Sequence, residues 1–344
     1  RDRRFTPNPQ RYAFKNLRPV SHISKNPELL YDATIWNKLV KKSYCKKYRI
    51  KIEEKHIYED IPSSFMFHYF ANSVSVIWGI GYNWRIREEG DKSISQGVDT
   101  IKNLKERLAI LKILDEIFGK KVKEKRLHFE KDFRILTFDL IIFINDRLEL
   151  DRSDAEEMMG TMKDYVSAMS KHKAFGLLNE VERAVYQAIL DGDFEQFIKL
   201  ADFRKNRLLK LPFFEEEQRI FAKLPEGVLD VETVDLTEKI KRIVPRFCID
   251  DVKTSDDEAT VKTSLYIPKI SIADRTEQKV RMQLVNEMTG ETTPLKVHPF
   301  KNSKLTASKG KWKCKETGEE GRYNYDGTGY RFNIPFSVLT PENL

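Results

Sequence analysis

Two adjacent carboxylates are notable because of the residues that follow them. Glu59 and Asp60 come directly before Ile61 and Pro62. A carboxylate can take the proton from an attacking hydroxyl group, which is general-base chemistry. The pattern also has a structural explanation, since acidic residues favour the first turn of a helix and proline favours its start. The two interpretations are compatible, and the structural one predicts a helix that begins near Pro62.

Arg85 and Arg87 form the second candidate pair. The alternating residues from Tyr82 to Ile86 predict a strand, and residues two apart on a strand share one face. Guanidinium groups form paired hydrogen bonds to phosphate and would neutralise the charge of a leaving diphosphate. Arginines that alternate with apolar residues also occur on ordinary solvated strand faces. The pair alone therefore leaves both interpretations open.

Four short motifs occur in a fixed order within residues 20–96. They are Asn37-Lys38-Leu39, Ile57-Tyr58-Glu59-Asp60-Ile61-Pro62, Tyr82-Asn83-Trp84-Arg85-Ile86-Arg87-Glu88-Glu89-Gly90 and Ser93-Ile94-Ser95. Together they resemble the C-terminal half of the catalytic domain of family 2 glycosyltransferases, which have the GT-A fold. The resemblance is strongest to enzymes that act on teichoic-acid-like or capsular polymers.

The resemblance implies a role for each candidate residue. In that family the second acid of the Glu-Asp motif takes the proton from the acceptor hydroxyl while the sugar develops oxocarbenium character. Asp60 is therefore expected to be the catalytic base, with Glu59 as its neighbour. Arg85 and Arg87 are expected to neutralise the diphosphate of the donor.

The substrates and cofactors are likewise implied by the resemblance. Ser93 and Ser95 are expected in a loop that closes on a nucleotide-sugar donor, UDP-linked, for hexosyl transfer with inversion. A divalent metal, Mg or Mn, is expected only together with the nucleotide-binding half of the family, which would precede Arg1 and is absent from this chain. No metal ligands are predicted here, because the Asp191–Asp193 triplet lies between two amphipathic helices and is typical of a turn and cap.

The elements that must position these residues fall into three predicted domains. Residues 1–96 are predicted to be the α/β C-terminal part of a GT-A catalytic domain, residues 97–243 a helical region, and residues 244–344 an all-β immunoglobulin-like sandwich. The helices follow from apolar residues at helical spacing, and the sandwich from short β-rich runs between turn residues. The predicted helices of the central region cover 98–118, 130–148, 153–170, 178–190 and 193–204.

Several local predictions accompany this division. Apolar residues between Glu28 and Lys47 recur at helical spacing, and the following Arg49–Ile52 alternates as in an extended segment. Gly119 is placed to end the first central helix. Ser153 with Glu156 fits a capping box.

Charge and composition restrict the partners. The chain has 344 residues, a net charge of +8 and a mean hydropathy of −0.54, with no apolar run long enough to span a membrane. Its first 95 residues hold 18 Lys and Arg against 10 Asp and Glu, so the whole excess of positive charge lies there. Such a surface attracts polyanions. The three cysteines suit neither a disulfide framework nor a metal site, which indicates a reducing compartment.

The sequence favours one function over two alternatives. The favoured function is an inverting glycosyltransferase that acts on a phosphate-rich cell-envelope polymer in the cytoplasm, at the inner face of the membrane as a peripheral protein, and as a homo-oligomer. One alternative is a non-enzymatic module that binds polyanions or nucleic acid, although nucleic-acid-binding signatures are absent. The other is an oligomerisation scaffold of a bifunctional teichoic-acid polymerase, formed by the helical region and the C-terminal sandwich.

Overall fold

The structure is a computed structural model of the 344-residue chain. It describes residues 8–14, 20–76, 82, 101–146, 151–285, 291–315 and 318–339. The chain divides into two compact units; among the described residues, the first ends at Leu208 and the second begins at Leu209. The prediction of three domains stays a prediction.

The first unit is helical in its described part. Its helices are α1 (Asn8–Ala13), α2 (Lys42–Tyr48), α3 (Asp60–Tyr69), α4 (Ile101–Lys121), α5 (Lys125–Arg134), α6 (Leu140–Asp146), α7 (Arg152–Met169), α8 (Lys173–Gly176), α9 (Glu180–Asp191) and α10 (Phe194–Asn206). A 3₁₀ turn covers Pro27–Tyr31, and a π turn at Ile135–Asp139 joins α5 to α6. The core of this unit is formed by the apolar stripes of α4, α7 and α9.

The long helices confirm the predicted periodicity, with local corrections. Gly192 adopts a left-handed φ of 76° at the end of α9, and the Asp193 side chain accepts from the amide of Gln196 to cap α10, as predicted. The cap of α7 is Asp151 rather than Ser153, because the Asp151 carboxylate accepts from the amide of Asp154. Gly119 does not end α4, which continues to Lys121.

The segment between Glu28 and Lys47 does not form one helix. After the 3₁₀ turn, the side chains of Asn37 and Lys38 donate hydrogen bonds to the buried Asp32 carboxylate. These hydrogen bonds hold the chain in a loop, and no helix forms between this turn and α2. The helix α2 ends at Tyr48, and its C-cap Arg49 has a left-handed φ of 50°, so the alternation predicted over Arg49–Ile52 does not begin at Arg49 and forms no strand. Val74 forms an isolated antiparallel bridge with Ser21. Helical spacing is a local signal, and here a buried polar centre overrides it.

The second unit contains small antiparallel sheets. Its strands are β1 (Phe213–Glu216), β2 (Arg219–Lys223), β3 (Thr233–Asp235), β4 (Arg246–Thr254), β5 (Glu258–Tyr266), β6 (Met282–Val285), β7 (Thr292–Leu295), β8 (His298–Phe300), β9 (Lys311–Lys313), β10 (Glu320–Arg322) and β11 (Gly329–Pro335). The short helices α11 (Thr237–Ile240) and α12 (Ser303–Lys309) accompany them.

The sheet orders describe the architecture of this unit. The largest sheet has the order β4-β5-β11-β8, a second has the order β1-β2-β3, and two pairs are β6-β7 and β9-β10. A small core joins Tyr266, Tyr323 and Tyr325. The unit is thus β-rich where a sandwich was predicted, but the sheets do not establish an immunoglobulin-like sandwich. Strands β1 to β3 lie inside the region predicted as helical.

Candidate functional site

Asp60 is the first residue of α3, directly after Glu59. The helix is held in place by buried Ile61 and by Phe65, whose ring stacks on Phe118 of α4 with centroids 4.4 Å apart. The acidic first turn and the early proline are the local reasons for a helix start. Asp60 itself remains partly accessible to solvent. Its carboxylate forms no hydrogen bond or ion pair with any residue that the structure describes.

The electrostatic surroundings of Asp60 favour a proton affinity close to neutrality. Burial raises the pKa of Asp60 to about 6, and the neighbouring Glu59 charge acts in the same direction. The positive charges of Arg107, Arg134 and Lys38 act against this shift. A carboxylate with this pKa is mostly ionised at pH 7 and still basic enough to take a proton, which is the compromise that general-base catalysis requires.

Two of these cations form a buried network with Asp139. Arg107 Nη1 and Arg134 Nη2 donate to Asp139 Oδ1 at 3.0 and 3.1 Å, and Asp139 is fully buried. Arg134 Nη1 also donates to the Leu30 carbonyl at 2.9 Å. The Arg107 guanidinium lies over the Tyr58 ring, 3.7 Å from its centroid. One carboxylate for two guanidinium groups leaves an excess positive charge close to Asp60.

The π turn explains the geometry of this network. Arg134 ends α5 and Asp139 ends the π turn, so the two side chains belong to consecutive turns of one wider helical segment. Such π turns occur often at functional sites. Because the second oxygen of Asp139, Oδ2, has no hydrogen-bond partner among the described residues, the network is under-satisfied.

The third cation, Lys38, is held by Asp32. Lys38 Nζ lies 2.6 Å from Asp32 Oδ2, while Asn37 Nδ2 donates to Oδ1 at 2.8 Å. His68 Nε2 lies 3.4 Å from Oδ2. Burial would raise the pKa of Asp32, but the contact with His68 and the charge of Lys38 outweigh it and hold that pKa below its usual value. This centre fixes the loop that carries Lys38 towards Asp60.

His68 has a structural role in this arrangement. Burial lowers the pKa of its imidazole, although the contact with Asp32 partly opposes the shift. The side chain is therefore neutral at pH 7 and packed within the unit.

The predicted site residues are only partly brought together by the described structure. Asp60 and Glu59 lie at the start of α3, whereas the predicted donor-binding residues, Arg85, Arg87, Ser93 and Ser95, lie outside the described residues. Sequence reasoning missed Arg107, Arg134 and Asp139. A signal existed for Arg107, because it lies on the same helical face as Leu104, Leu108 and Leu111, where a charge is unexpected.

The described residues contain neither a metal-binding cluster nor a membrane-spanning helix. Among the described residues, no group of three or more histidine, cysteine, aspartate or glutamate side chains is arranged to hold a metal ion. The Asp191–Asp193 triplet forms the end of α9 and the cap of α10. No described helix combines the length and apolar character needed to cross a bilayer.

Comparison with known proteins gives distant similarity. No protein-family model and no curated protein matches the chain. The chain is similar to the crystal structure of S. aureus TarS, with 14% identity and a TM-score of 0.41, over 98% of this chain and 51% of that chain. It is also similar to the crystal structure of S. aureus TarS 217-571, with 13% identity and a TM-score of 0.28, over 68% of this chain and 56% of that one. The chain thus spans about half the length of these TarS chains.

Proposed function

We propose that this protein is an inverting glycosyltransferase of the GT-A type, with Asp60 as its catalytic base. The observation that carries the proposal is the state of the Asp60 carboxylate. It is partly accessible, it has no partner among the described residues, and its pKa is raised to about 6 beside three cationic side chains. The ordered motifs around it support the reaction class.

The reaction that suits one such base is direct displacement at a sugar carbon. A hydroxyl of the acceptor transfers its proton to the Asp60 carboxylate, and its oxygen forms a bond to the anomeric carbon. The bond from that carbon to the nucleoside diphosphate breaks, and the diphosphate leaves with the electron pair. A single carboxylate suffices because the diphosphate is a good leaving group and needs no general acid, unlike the leaving group in glycosidases.

The cationic neighbours assist the base in this scheme. Protonation of Asp60 makes it neutral, so Arg107, Arg134 and Lys38 favour its ionised form before the reaction and limit the rise of its pKa. Glu59 opposes them, and the balance sets the proton affinity. Arg85 and Arg87 are proposed to neutralise the donor diphosphate, and Ser93 and Ser95 to belong to the segment that closes on the donor.

The substrates proposed are a UDP-linked sugar and a hydroxyl of a phosphate-rich cell-envelope polymer. The described residues do not offer the ligands of a divalent metal, so no step of the reaction is assigned to Mg or Mn. A cytoplasmic location at the inner face of the membrane and a homo-oligomeric state remain part of the proposal.

The test compares Asp60→Asn with Asp164→Asn in the native protein. Asp164 is an exposed aspartate of α7 without a partner among the described residues, so the control makes the same chemical change away from the site. Sugar transfer is measured with a panel of labelled UDP-sugars, and donor binding by calorimetry. We expect Asp60→Asn to lower kcat by about 100-fold or more while donor binding stays near normal.

Two outcomes would count against the proposal. Undiminished turnover in Asp60→Asn removes Asp60 from the mechanism. Polymer binding by the wild-type protein without transfer from any UDP-sugar favours the non-enzymatic polyanion-binding module instead.

A further inference from the structure

Between Lys38 and Tyr58 the chain leads away from the candidate site and then returns to it. Lys38 is anchored on Asp32 near Asp60, and the chain then runs through α2 and back to Tyr58, Glu59 and Asp60. We call residues 41–55 of this stretch the basic segment. Its exposed cations are Lys41, Lys42, Lys46, Lys47, Arg49, Lys51 and Lys55. The segment contains only two acids, Glu53 and Glu54.

The charges of the basic segment lack acidic partners in the described part of the chain, although Lys46 and Lys47 lie in the last turn of α2, where the helix dipole favours cations. None of its seven exposed cations forms an ion pair with a described residue. Lys41 occupies the N-cap position of α2 and Lys42 its first turn, where no acidic residue is present. Cations are unfavourable at that end because the helix dipole is positive there. Like charges this close also repel one another, so the arrangement favours an anionic partner.

The packing of α2 places this charge at the opposite end of the helix that begins with the candidate base. The Tyr44 hydroxyl donates to the Phe67 carbonyl at 3.1 Å, and the Tyr48 ring stacks on Phe70 with centroids 5.2 Å apart. These contacts lie near the C-terminal end of α3, whereas Asp60 lies at its start. A rise of ~1.5 Å per residue puts Phe67 roughly 10 Å from Asp60 along the helix. A bound chain of a few phosphate-linked units would span that distance.

We propose that the basic segment binds the phosphodiester backbone of the acceptor polymer and presents its hydroxyl groups to Asp60. This inference rests on the proposed function, because it gives the acceptor of that reaction its binding surface. Lysine supplies a compact charge on a flexible stem, which suits a flexible chain of evenly spaced phosphates better than one rigid phosphate group. Lys38 is itself largely buried and paired with Asp32, so it acts on the charge of Asp60 and is not part of this exposed surface.

The chemistry of α2 favours a polymer over nucleic acid or a membrane. Its aromatic residues, Tyr44 and Tyr48, pack towards α3 and are not free to stack on bases. A membrane-surface helix requires an exposed apolar face, and α2 turns its aromatic side inward. Two exposed apolar side chains, Leu39 and Ile52, lie outside α2, and they make an anionic membrane the competing partner to be tested.

The experiment neutralises four lysines of α2 and its cap. The test variant is Lys41→Gln/Lys42→Gln/Lys46→Gln/Lys47→Gln. The matched control is Lys112→Gln/Lys163→Gln/Lys171→Gln/Lys173→Gln, which removes the same charge from exposed lysines of the same unit. The probes are synthetic poly(glycerol phosphate), and vesicles of phosphatidylglycerol and phosphatidylcholine in equal parts, each titrated over a range of salt concentrations.

We expect the test variant to bind poly(glycerol phosphate) roughly tenfold or more weaker than the control variant. Its salt slope should also be smaller by about 3, if each lost contact removes about 0.7. In the transfer assay it should raise KM for the polymer more than it lowers kcat. Equal polymer affinity of the two variants would overturn the proposal, and so would a loss confined to the vesicles, which would assign the segment to a membrane.

Asp60→Asn separates this inference from the proposed function. It should bind poly(glycerol phosphate) as tightly as the wild-type protein while it loses transfer. If transfer survives in Asp60→Asn, the assignment of the base fails. If polymer binding survives in the test variant, the assignment of the basic segment fails, whatever the transfer assay shows.

Discussion

Arg107 and Arg134 donate hydrogen bonds to the same oxygen atom, Oδ1 of Asp139, at 3.0 and 3.1 Å. The two arginines come from α4 and α5, so this single oxygen ties together two helices that flank Asp60. All three side chains are buried. Asp139 is therefore the shared acceptor in a buried charge network next to the candidate base.

Asp139→Asn should destabilise the protein strongly. The substitution leaves two buried guanidinium groups without the carboxylate that compensates them, which costs about 3 kcal/mol or more. Urea unfolding followed by circular dichroism measures the loss, and Asp164→Asn, on an exposed position, should change stability by less than about 0.5 kcal/mol. Equal midpoints for the two variants would show that the network contributes nothing to folding.

The pH dependence of transfer should report the ionisation of Asp60. Its pKa is raised to about 6, and the base acts only when it is deprotonated. We expect kcat/KM to be level above pH 7 and to fall about tenfold per pH unit well below pH 6. Glu59→Gln removes a like charge and should move the midpoint to lower pH. A profile that is flat between pH 5 and pH 8 would contradict the assignment.

The same ionisation predicts a change in stability with pH. The pKa of Asp60 lies at about 6 in the folded chain, above its model-compound value of 3.8. The protonated carboxyl is therefore favoured by folding, and this stability is complete below pH 3.8 and is lost as the pH rises through about 6. At pH 7 the ionised Asp60 opposes folding.

Asp60→Asn should consequently stabilise the protein at pH 7 by about 1–2 kcal/mol, a value reduced from the full shift because the side chain is partly solvated. At pH 3.5 the gain should vanish, since the native carboxyl is then neutral too. Denaturant unfolding at both pH values measures the difference. A variant that is less stable than the wild-type protein at pH 7 would mean that the carboxylate makes a stabilising contact.

The sequence predicted the elements whose signals are local. Apolar periodicity located α4, α7, α9 and α10, and the Gly192-Asp193 pair ended one helix and capped the next because both effects act within a few residues. The position of Asp60 at a helix start was predicted for the same reason.

The rest of the site depends on contacts between distant residues. Asp139 pairs with Arg107, 32 residues away in the chain, and a sequence pattern does not encode such a pair. A loop forms after Asp32 where a helix was predicted, because Asn37 and Lys38 donate hydrogen bonds to the buried Asp32 carboxylate. The periodicity of apolar residues carries no information about such hydrogen bonds. The predicted diphosphate-binding residues, Arg85 and Arg87, lie outside the described part of the chain and stay a prediction.

The β1–β2 hairpin was missed because its turn lacks the usual residues. Glu216 pairs with Arg219, which leaves Glu217 and Gln218 as a two-residue loop with φ values of 49° and 64°. Such a loop favours Asn-Gly, because both positions are left-handed and a side chain with a normal Cβ is strained there. The strained backbone at Glu217 and Gln218 therefore lowers the free energy of unfolding.

Glu217→Asn/Gln218→Gly should remove that strain and stabilise the protein by about 1 kcal/mol, because asparagine and glycine adopt positive φ more readily. Gln218→Ile is the opposing control, since a β-branched residue at φ 64° should destabilise it. Thermal unfolding monitored by circular dichroism compares the three proteins. If Asn-Gly gives no gain while Gln218→Ile is tolerated, the loop is not held at positive φ in solution, and the register of β1 with β2 would have to differ from Glu216 opposite Arg219.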